Sequence, residues 1–305
     1  MRMHPSDQSS VEAAAARRRP AFYGGQVLVL LESPMKRIRP VLRRRLTAEE
    51  EAVRAQYRLL RAMRRELLAI IGDAAGYRAF HLQQVLAAID SEITRYRAQA
   101  QAAAGADTRA LFTLGHEIVD VAVGTAPAGA LAGVSSELLQ RAVDLTTGEV
   151  GAIWTELGNG LKSTIRRTAL GITDHVQAMA EVSRLLRRKR GPFTNAQFGA
   201  ERIVRTETSR IFSGATYDRM RSAEASLGEA MRKGWLNAGD NRVRDAHVQA
   251  GIDYSRDRAI PVDQPFIVDD EELMFPLDPR GSASNTIMCR CVLLPVVGEI
   301  AAKAA

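Results

Sequence analysis

The sequence predicts an α+β protein, in which a long, mainly α-helical N-terminal region is followed by a small α+β domain with a short antiparallel sheet. Ala, Leu and Arg are abundant, and all three are strong helix formers. Apolar residues recur at steps of three and four through most of residues 47–226, as on one face of a helix. After Gly228 short apolar runs alternate with turn residues, which indicates strands. Helices followed by strands are typical of α+β folds.

The chain of 305 residues is predicted to have three parts. Residues 1–46 form a basic arm that is polar or interrupted by prolines, and therefore largely extended or disordered. Residues 47–190 form the helical region, and residues 191–305 form the α+β domain. Thr47 and Glu50 have the spacing of a capping box, which predicts a helix that begins at residue 47.

The order of the elements follows from the apolar spacing and from the glycines that interrupt it. Helices are expected at residues 47–71, 77–103, 107–123, 135–145, 150–170, 173–188 and 194–226, with Gly105 ending the second. After them we expect a strand at 231–236 and a short helix or capped turn at 240–250. A hairpin is expected to follow, formed by residues 260–268 and 273–275 with an acidic turn at 269–272. A turn at 278–281 and a final strand at 291–297 complete the predicted order.

The net charge of +7 indicates an acidic partner, of which nucleic acid is the commonest. Residues 1–45 carry ten Lys or Arg against three acidic residues, so this arm is either a solvated tail or a contact surface for DNA phosphates or an acidic protein. A second basic run ends the 173–188 helix, where cations either complement the helix macrodipole or contact phosphate. The candidate contact residues are Arg17, Arg18, Arg19, Arg43, Arg44, Arg45, Arg187, Arg188, Lys189 and Arg190.

The pattern of the chain predicts a protein made in a reducing cytoplasm. The apolar run at residues 27–31 is too short for a secretory signal, and Asp120 and Pro127 make the apolar segment 118–134 a poor membrane span. A disulfide between Cys289 and Cys291 would be strained. The two cysteines are therefore expected to be free thiols or metal ligands.

A metal site is one interpretation of the cysteines. In an extended Cys-x-Cys segment both sulfurs point to one side, and His247 could supply a third ligand. Asp240 or Asp245 could supply the fourth, and zinc is the metal that such a mixture favours. The usual zinc spacing is two Cys-x₂₋₄-Cys pairs, so the alternative is two small buried residues and a histidine that makes a hydrogen bond at a helix end. The sequence requires no cofactor, and a structural zinc is the one candidate.

The polar cluster between Asp240 and His247 also admits a catalytic interpretation. A histidine beside a carboxylate could act as a general base while Arg242 and Arg244 hold a phosphate, which would be the start of a nuclease site. Arginine–aspartate pairs also hold loops together in small domains, and we favour that structural explanation. The sequence contains no phosphate-binding glycine loop, serine nucleophile elbow or Rossmann fingerprint.

Two segments resemble a known family. They read Trp-Leu-Asn-Ala-Gly-Asp-Asn-Arg-Val-Arg-Asp-Ala-His at residues 235–247 and Phe-Pro-Leu-Asp-Pro…Asn-Thr-Ile-Met-Cys-Arg-Cys at residues 275–291. An Arg-Thr-Glu segment, Arg205 to Glu207, precedes them in a predicted helix. Over about residues 200–297 the chain resembles the C-terminal domain of the phage Mu protein F-like family, also called SPP1 gp7-like, of minor head (head morphogenesis) proteins. The resemblance does not extend to the first half of the chain.

The resemblance implies a non-enzymatic virion protein, present in a few copies at the portal vertex or on the inner capsid and required for head assembly. The implied partners are the portal protein, the major capsid protein and packaged double-stranded DNA, with the chain oligomeric within the particle. The alternatives are a metal-dependent nuclease or toxin-like enzyme that uses His247, and a non-specific DNA-binding protein. The fold-defining residues implied by the resemblance are Arg205, Glu207, Trp235, Arg242, Arg244, Pro276, Asp278, Asn285 and Arg290.

Overall fold

The structure, a computed structural model, describes residues 34–73, 82–124, 136–169, 172, 174–186, 196–228 and 230–297. These residues all belong to one compact unit. It has five helices before the sheet: α1 (Pro34–Asp73), α2 (Leu82–Val123), α3 (Ser136–Ala169), α4 (His175–Leu186) and α5 (Ala196–Leu227). The α+β fold class predicted from the sequence is confirmed. None of the described helices combines the length and apolarity needed to cross a bilayer.

Helix α1 begins thirteen residues before the predicted start, at Pro34 rather than at Thr47. The Thr47 hydroxyl lies inside the helix and donates to the carbonyl oxygen of Arg43 at 3.2 Å, so the predicted capping box is not used. The extension is stabilised by tertiary packing, because Ile38 and Val41 lie in the same buried cluster as the core of the C-terminal sheet. That packing also outweighs Pro40, which removes one backbone donor from the helix.

Helices α2 and α3 each join two segments that the sequence predicts to be separate. Gly105 continues α2 and does not end it, and it lies 3.4 Å, measured from an ideal Cβ, from a methyl group of Thr147 on α3. Gly148 lies inside α3 and costs about 1 kcal/mol relative to alanine. The apolar side chains of α2 before Gly105 and those of α3 after Gly148 pack in one cluster, and this burial exceeds that cost.

The core of the helical region is formed by α1, α2 and α3 with contributions from α4 and α5. Trp154 is 1 % exposed and stacks against Tyr96 with ring centroids 6.4 Å apart. The side chains around this pair recur at helical spacing, as the sequence predicts; they include Leu60, Met63, Leu67, Val85, Ile89, Ile93, Val150, Leu157 and Leu161.

The C-terminal sheet has three antiparallel strands in the order β2-β1-β5. These are β1 (Met231–Leu236), β2 (Ile260–Pro261) and β5 (Val292–Val297), and Trp235 faces Leu293 in the β1–β5 register. A separate hairpin joins β3 (Phe266–Val268) to β4 (Glu271–Leu273) through Asp269 and Asp270, whose φ angles are 52° and 59°. Two positive φ angles in a two-residue loop define a type I′ turn. Two short helices, α6 (Asp245–Asp253) and α7 (Ala283–Thr286), and a 3₁₀ turn (Arg256–Arg258) complete this part.

Helix α5 connects the two parts of the structure. It packs against α1, α2 and α3 and also against β1 and β5. Phe212 and Met220 of α5 share one buried cluster with Ile118 of α2, Trp235 of β1 and Leu293 of β5. The C-terminal domain therefore uses the helices as part of its own core. The predicted three-part division of the chain stays a prediction.

Candidate metal centre

His247, Cys289 and Cys291 meet in the interior of the C-terminal part. Nδ1 of His247 lies 3.5 Å from Sγ of Cys289 and 3.5 Å from Sγ of Cys291. The three ligand atoms lie within 4.8 Å of one another, and the three residues are 1 %, 3 % and 2 % exposed. Neither cysteine is in a disulfide bond, which agrees with the prediction that they are free thiols or metal ligands. Two sulfurs and one imidazole nitrogen in this arrangement could hold a metal ion.

Backbone geometry sets the direction of the Cys-Arg-Cys segment. Met288 has a φ of 57°, and its N–H donates to the hydroxyl of Thr206 on α5 at 3.0 Å. The chain turns there and then runs extended into β5, which begins at Val292. Because side chains alternate along an extended segment, Cys289 and Cys291 lie on the inner side and Arg290 lies on the other.

The imidazole of His247 is oriented by an amide. Its Nε2 lies 3.2 Å from Oδ1 of Asn285, and Nδ2 of Asn285 donates to the carbonyl oxygen of Val268 at 3.3 Å. Because the amide oxygen only accepts, Nε2 carries a hydrogen, and Nδ1 is the ring nitrogen that faces the sulfurs. A partner that holds the second ring nitrogen is typical of metal-binding histidines. The ring of Trp235 packs edge-on against His247 at 5.4 Å.

The two cysteines shift each other's pKa in opposite directions. The hydrogen bond from Cys291 lowers the pKa of Cys289 well below its ordinary value, against the effect of burial, and His247 adds to the lowering. The same hydrogen bond and burial raise the pKa of Cys291. A lowered pKa favours the thiolate, which is the form of cysteine that binds metal ions.

Asp240 was predicted as a fourth ligand, and this prediction is wrong. Its carboxylate accepts two hydrogen bonds from the guanidinium of Arg290, at 2.7 and 2.5 Å, and one from the backbone N–H of Arg242 at 3.0 Å. The bidentate contact with Arg290 holds the pKa of Asp240 well below its usual range. Asp245, the alternative, also lies outside the group that could hold a metal ion.

The other residues of the resemblance hold the surrounding loops. Arg244 donates to the carbonyl oxygen of Ile287 at 2.5 Å and so ties the start of α6 to the loop before the cysteines. Asp278, 2 % exposed, accepts from the backbone N–H groups of Met274 at 2.8 Å and of Arg280 at 3.0 Å. Pro276 is buried just before Leu277, which has a φ of 68°. These contacts define the loop that follows β4.

The Arg-Thr-Glu segment ties α5 to two different parts of the structure. Arg205 pairs with Glu49 and Glu50 of α1, both at 2.9 Å, and with Glu201 at 3.1 Å. Glu207 accepts from Arg210 at 2.6 Å, as predicted, but it is 7 % exposed and not on the surface. Burial raises the pKa of Glu207 against the effect of Arg210.

The basic residues predicted to contact nucleic acid differ in their exposure and in their partners. Arg45 is 2 % exposed and donates to the hydroxyl of Ser209 at 2.6 Å, with Glu49 at 3.3 Å. The prediction for Arg45 is therefore wrong, since its guanidinium neutralises a buried carboxylate. Arg43 is exposed, and Arg44 is exposed and pairs with Glu117. The remaining candidates lie outside the described residues: Arg17, Arg18, Arg19, Arg187, Arg188, Lys189 and Arg190.

Lys233 was not singled out from the sequence, yet it is fully buried in β1. Its Nζ donates to the carbonyl oxygen of Met274 at 2.6 Å and lies 4.7 Å from the ring centroid of Phe266 and 5.2 Å from that of Tyr217. Burial lowers its pKa to about 7. The signal in the sequence was the two-residue period of the strand, which places Lys233 on the same face as Trp235.

No family model, curated protein or solved structure matches this chain.

Proposed function

We propose that this chain is a minor head (head morphogenesis) protein of a tailed phage or a phage-derived particle. In this role it is a structural component, bound to the portal or to the inner capsid. The observation that carries the proposal is that several residues of the resemblance, separated in the sequence, contact one another or their loops around Cys289 and Cys291. They are Asp240 with Arg290, Arg244 with the carbonyl oxygen of Ile287, and His247 with Asn285 and the two sulfurs. A motif whose members hold one another is what a fold-defining role requires.

The burial of His247 favours this role over the nuclease hypothesis. A general base must reach the proton that it removes, and the ring of His247 is 1 % exposed, with Asn285 on one nitrogen and two sulfurs near the other. The neighbouring carboxylate of Asp240 is held by Arg290. Substrate access would require the domain to open.

The test is co-purification from cells that make whole particles. Tagged full-length chain is recovered in moderate and in high salt, and bound proteins are identified by mass spectrometry, with a tagged unrelated protein as the control. We expect portal or major capsid protein to remain bound in high salt and the chain to sediment with heads. Recovery of neither protein, with the chain absent from purified heads, would contradict the proposal.

A second proposal concerns the metal centre: the His247, Cys289 and Cys291 group binds a structural zinc ion. Zn–S bonds of about 2.3 Å and Zn–N bonds of about 2.0 Å at a tetrahedral angle place the S and N atoms about 3.5 Å apart. Both observed separations are 3.5 Å. Two thiolates and an imidazole are also the donor types that zinc favours. The bound ion would connect α6 to the segment that leads into β5.

The zinc proposal is tested by metal analysis and by fluorescence. Full-length protein purified without chelator is expected to contain about one zinc ion per chain, and the C289S/C291S double variant none. In a Trp154→Phe background only Trp235 emits, and a strong chelator should change its emission. His116→Gln, a buried histidine of α2, is the matched control and should keep its zinc. A folded, metal-free wild-type protein that is unchanged by added zinc would overturn the proposal.

A further inference from the structure

Helix α1 has two opposite faces of different chemistry. One face is buried against α2, α4 and α5 and includes Ile38, Leu60 and Met63. The opposite face carries exposed cations in two groups, within residues 36–43 and residues 54–65, and in each group they recur at steps of three and four residues. The gap of eleven residues between Arg43 and Arg54 is three helical turns, so the two groups lie on the same side of the helix. We call this face the basic stripe; it consists of Lys36, Arg39, Arg43, Arg54, Arg58, Arg61 and Arg65.

The charge of the chain is concentrated on this helix. Helix α1 has eleven basic and five acidic residues, a net charge of +6 out of +7 for the whole chain. Glu49 is buried beside Arg45, Glu50 pairs with Arg205 and Glu66 pairs with Arg95. Three of the five carboxylates are therefore already paired with cations that do not belong to the basic stripe.

The arginines of the basic stripe are available to a ligand. Within the described residues none of these six guanidinium groups forms an ion pair, and one of them, that of Arg61, donates from Nε to the carbonyl oxygen of Tyr57 at 3.2 Å. Some exposed arginines outside the stripe are paired, as Arg44 is with Glu117 and Arg141 with Glu137. Unpaired arginines at regular spacing on one rigid helix form a surface that is complementary to an extended anion.

We propose that the basic stripe binds the phosphate backbone of double-stranded DNA without sequence preference. The stripe extends over 29 residue steps, about 44 Å at 1.5 Å per residue, which exceeds one turn of B-DNA at about 34 Å. Six of its seven cations are arginines, whose guanidinium groups bind phosphate oxygens in pairs. The stripe lacks the aromatic and apolar side chains that form the centre of a protein interface.

This inference adds a ligand to the proposed head protein and is measured on the purified chain alone. Its failure is therefore distinguishable from failure of the portal or capsid assignment. Of the candidate contacts predicted from the sequence, the stripe includes Arg43 but not Arg45, which is buried.

The experiment measures the Kd of full-length protein for a labelled 30-base-pair duplex of mixed sequence over a series of salt concentrations. The stripe variant is R54Q/R58Q/R61Q/R65Q. The matched control is R109Q/R166Q/R256Q/R258Q, which removes the same charge from exposed positions outside the stripe. Circular dichroism checks that both variants keep their helices. A further variant, R17Q/R18Q/R19Q, measures how much the N-terminal arm contributes to DNA binding.

The wild-type chain is expected to show a steep fall of log K with log salt concentration. If each arginine neutralises one phosphate, the stripe variant should lose about 3.6 units of that slope, and the control less than one unit. Equal losses in the two variants would overturn the proposal, as would loss of all binding in the arm variant alone. Polyglutamate that competes as well as DNA at equal charge would also overturn it, in favour of an acidic protein partner.

Discussion

The two tryptophans of the chain lie in different regions and are held differently. Trp154 in α3 stacks on Tyr96 within a cluster of apolar side chains at helical spacing. Trp235 in β1 packs edge-on against Phe266 and His247, both at 5.4 Å, beside the two thiols. Both rings are nearly completely buried. The helical region therefore derives its stability mainly from burial of apolar surface, and the C-terminal part also depends on polar groups that need particular partners.

This difference predicts different responses to mutation. In the helical region the cost of a substitution follows the volume removed or added. In the C-terminal part it follows the polar group that loses its partner, because Lys233, His247, Asp278 and Asn285 are all buried and hydrogen-bonded. The following predictions are ordered by expected size.

The largest effect is expected at Arg45. This residue lies in the helical region, but the cost of replacing it should depend on the buried partner that is lost, as in the C-terminal part. Its ion pair with Glu49 is almost fully buried, with side chains 3 % and 4 % exposed. Arg45→Ala leaves that carboxylate with fewer partners and should lower the free energy of unfolding by roughly 3–5 kcal/mol. Arg44→Ala, which breaks an exposed pair, should cost less than about 1 kcal/mol. Urea denaturation compares the two, and equal costs would contradict the buried role of Arg45.

The next effect is a pH dependence of the C-terminal part. The pKa of Lys233 is about 7 in the folded protein, against 10.5 for an ordinary lysine, because of burial. The unfolded chain binds more protons between these values, so the free energy of unfolding should rise with pH from 7 to 10.5, by roughly 2–4 kcal/mol. Urea midpoints at pH 7, 8.5 and 10, measured by Trp235 fluorescence in a Trp154→Phe background, check this. Lys233→Met should flatten the dependence; an unchanged dependence in that variant would assign it to another group.

A smaller effect is expected at the contact of α2 with α5. A Cβ at Gly115 would lie 2.6 Å from the carbonyl oxygen of Phe212 and 2.7 Å from Cβ of Ala215. Gly115→Ala should therefore destabilise the protein by roughly 1–3 kcal/mol, because the two helices must separate. Thermal denaturation measures the shift. A stability equal to that of the wild type would show that the approach of the two helices is not constrained here.

The smallest expected effects are stabilising. One substitution removes a glycine from the helical region, and the other introduces a glycine into the C-terminal part. Gly148 in α3 has no atom within 4 Å of a Cβ, so Gly148→Ala should stabilise the protein by roughly 0.5–1 kcal/mol. Asp270 has a φ of 59° in the β3–β4 turn, so Asp270→Gly should stabilise it by about 0.5 kcal/mol. Both are measured by urea denaturation. Destabilisation by Gly148→Ala would mean that the glycine hydrogen has a contact that a methyl group disrupts. Destabilisation by Asp270→Gly would mean that the Asp270 side chain has a contact that outweighs the backbone preference.

The sequence by itself determined the features that depend on local spacing. The apolar periodicity of α1 to α3, strand β1 at residues 231–236 and the absence of a disulfide between Cys289 and Cys291 are all as predicted. Each follows from neighbours within a few residues, where the period of a helix or a strand decides which face is buried. The convergence of His247 with the two cysteines agrees with the metal-site hypothesis, which the Cys-x-Cys spacing first indicated.

Only the tertiary structure decided which of several locally similar residues would be buried or paired. Arg43, Arg44 and Arg45 are adjacent and alike, but Arg45 alone faces Ser209, 164 positions away. Asp240 was chemically suited to bind a metal, but the guanidinium of Arg290, 50 positions away, donates hydrogen bonds to both of its carboxylate oxygens. Helix α1 begins at Pro34 because Ile38 and Val41 pack on the core of the C-terminal part. Such partners are distant in sequence, and local propensities are too weak to choose among them.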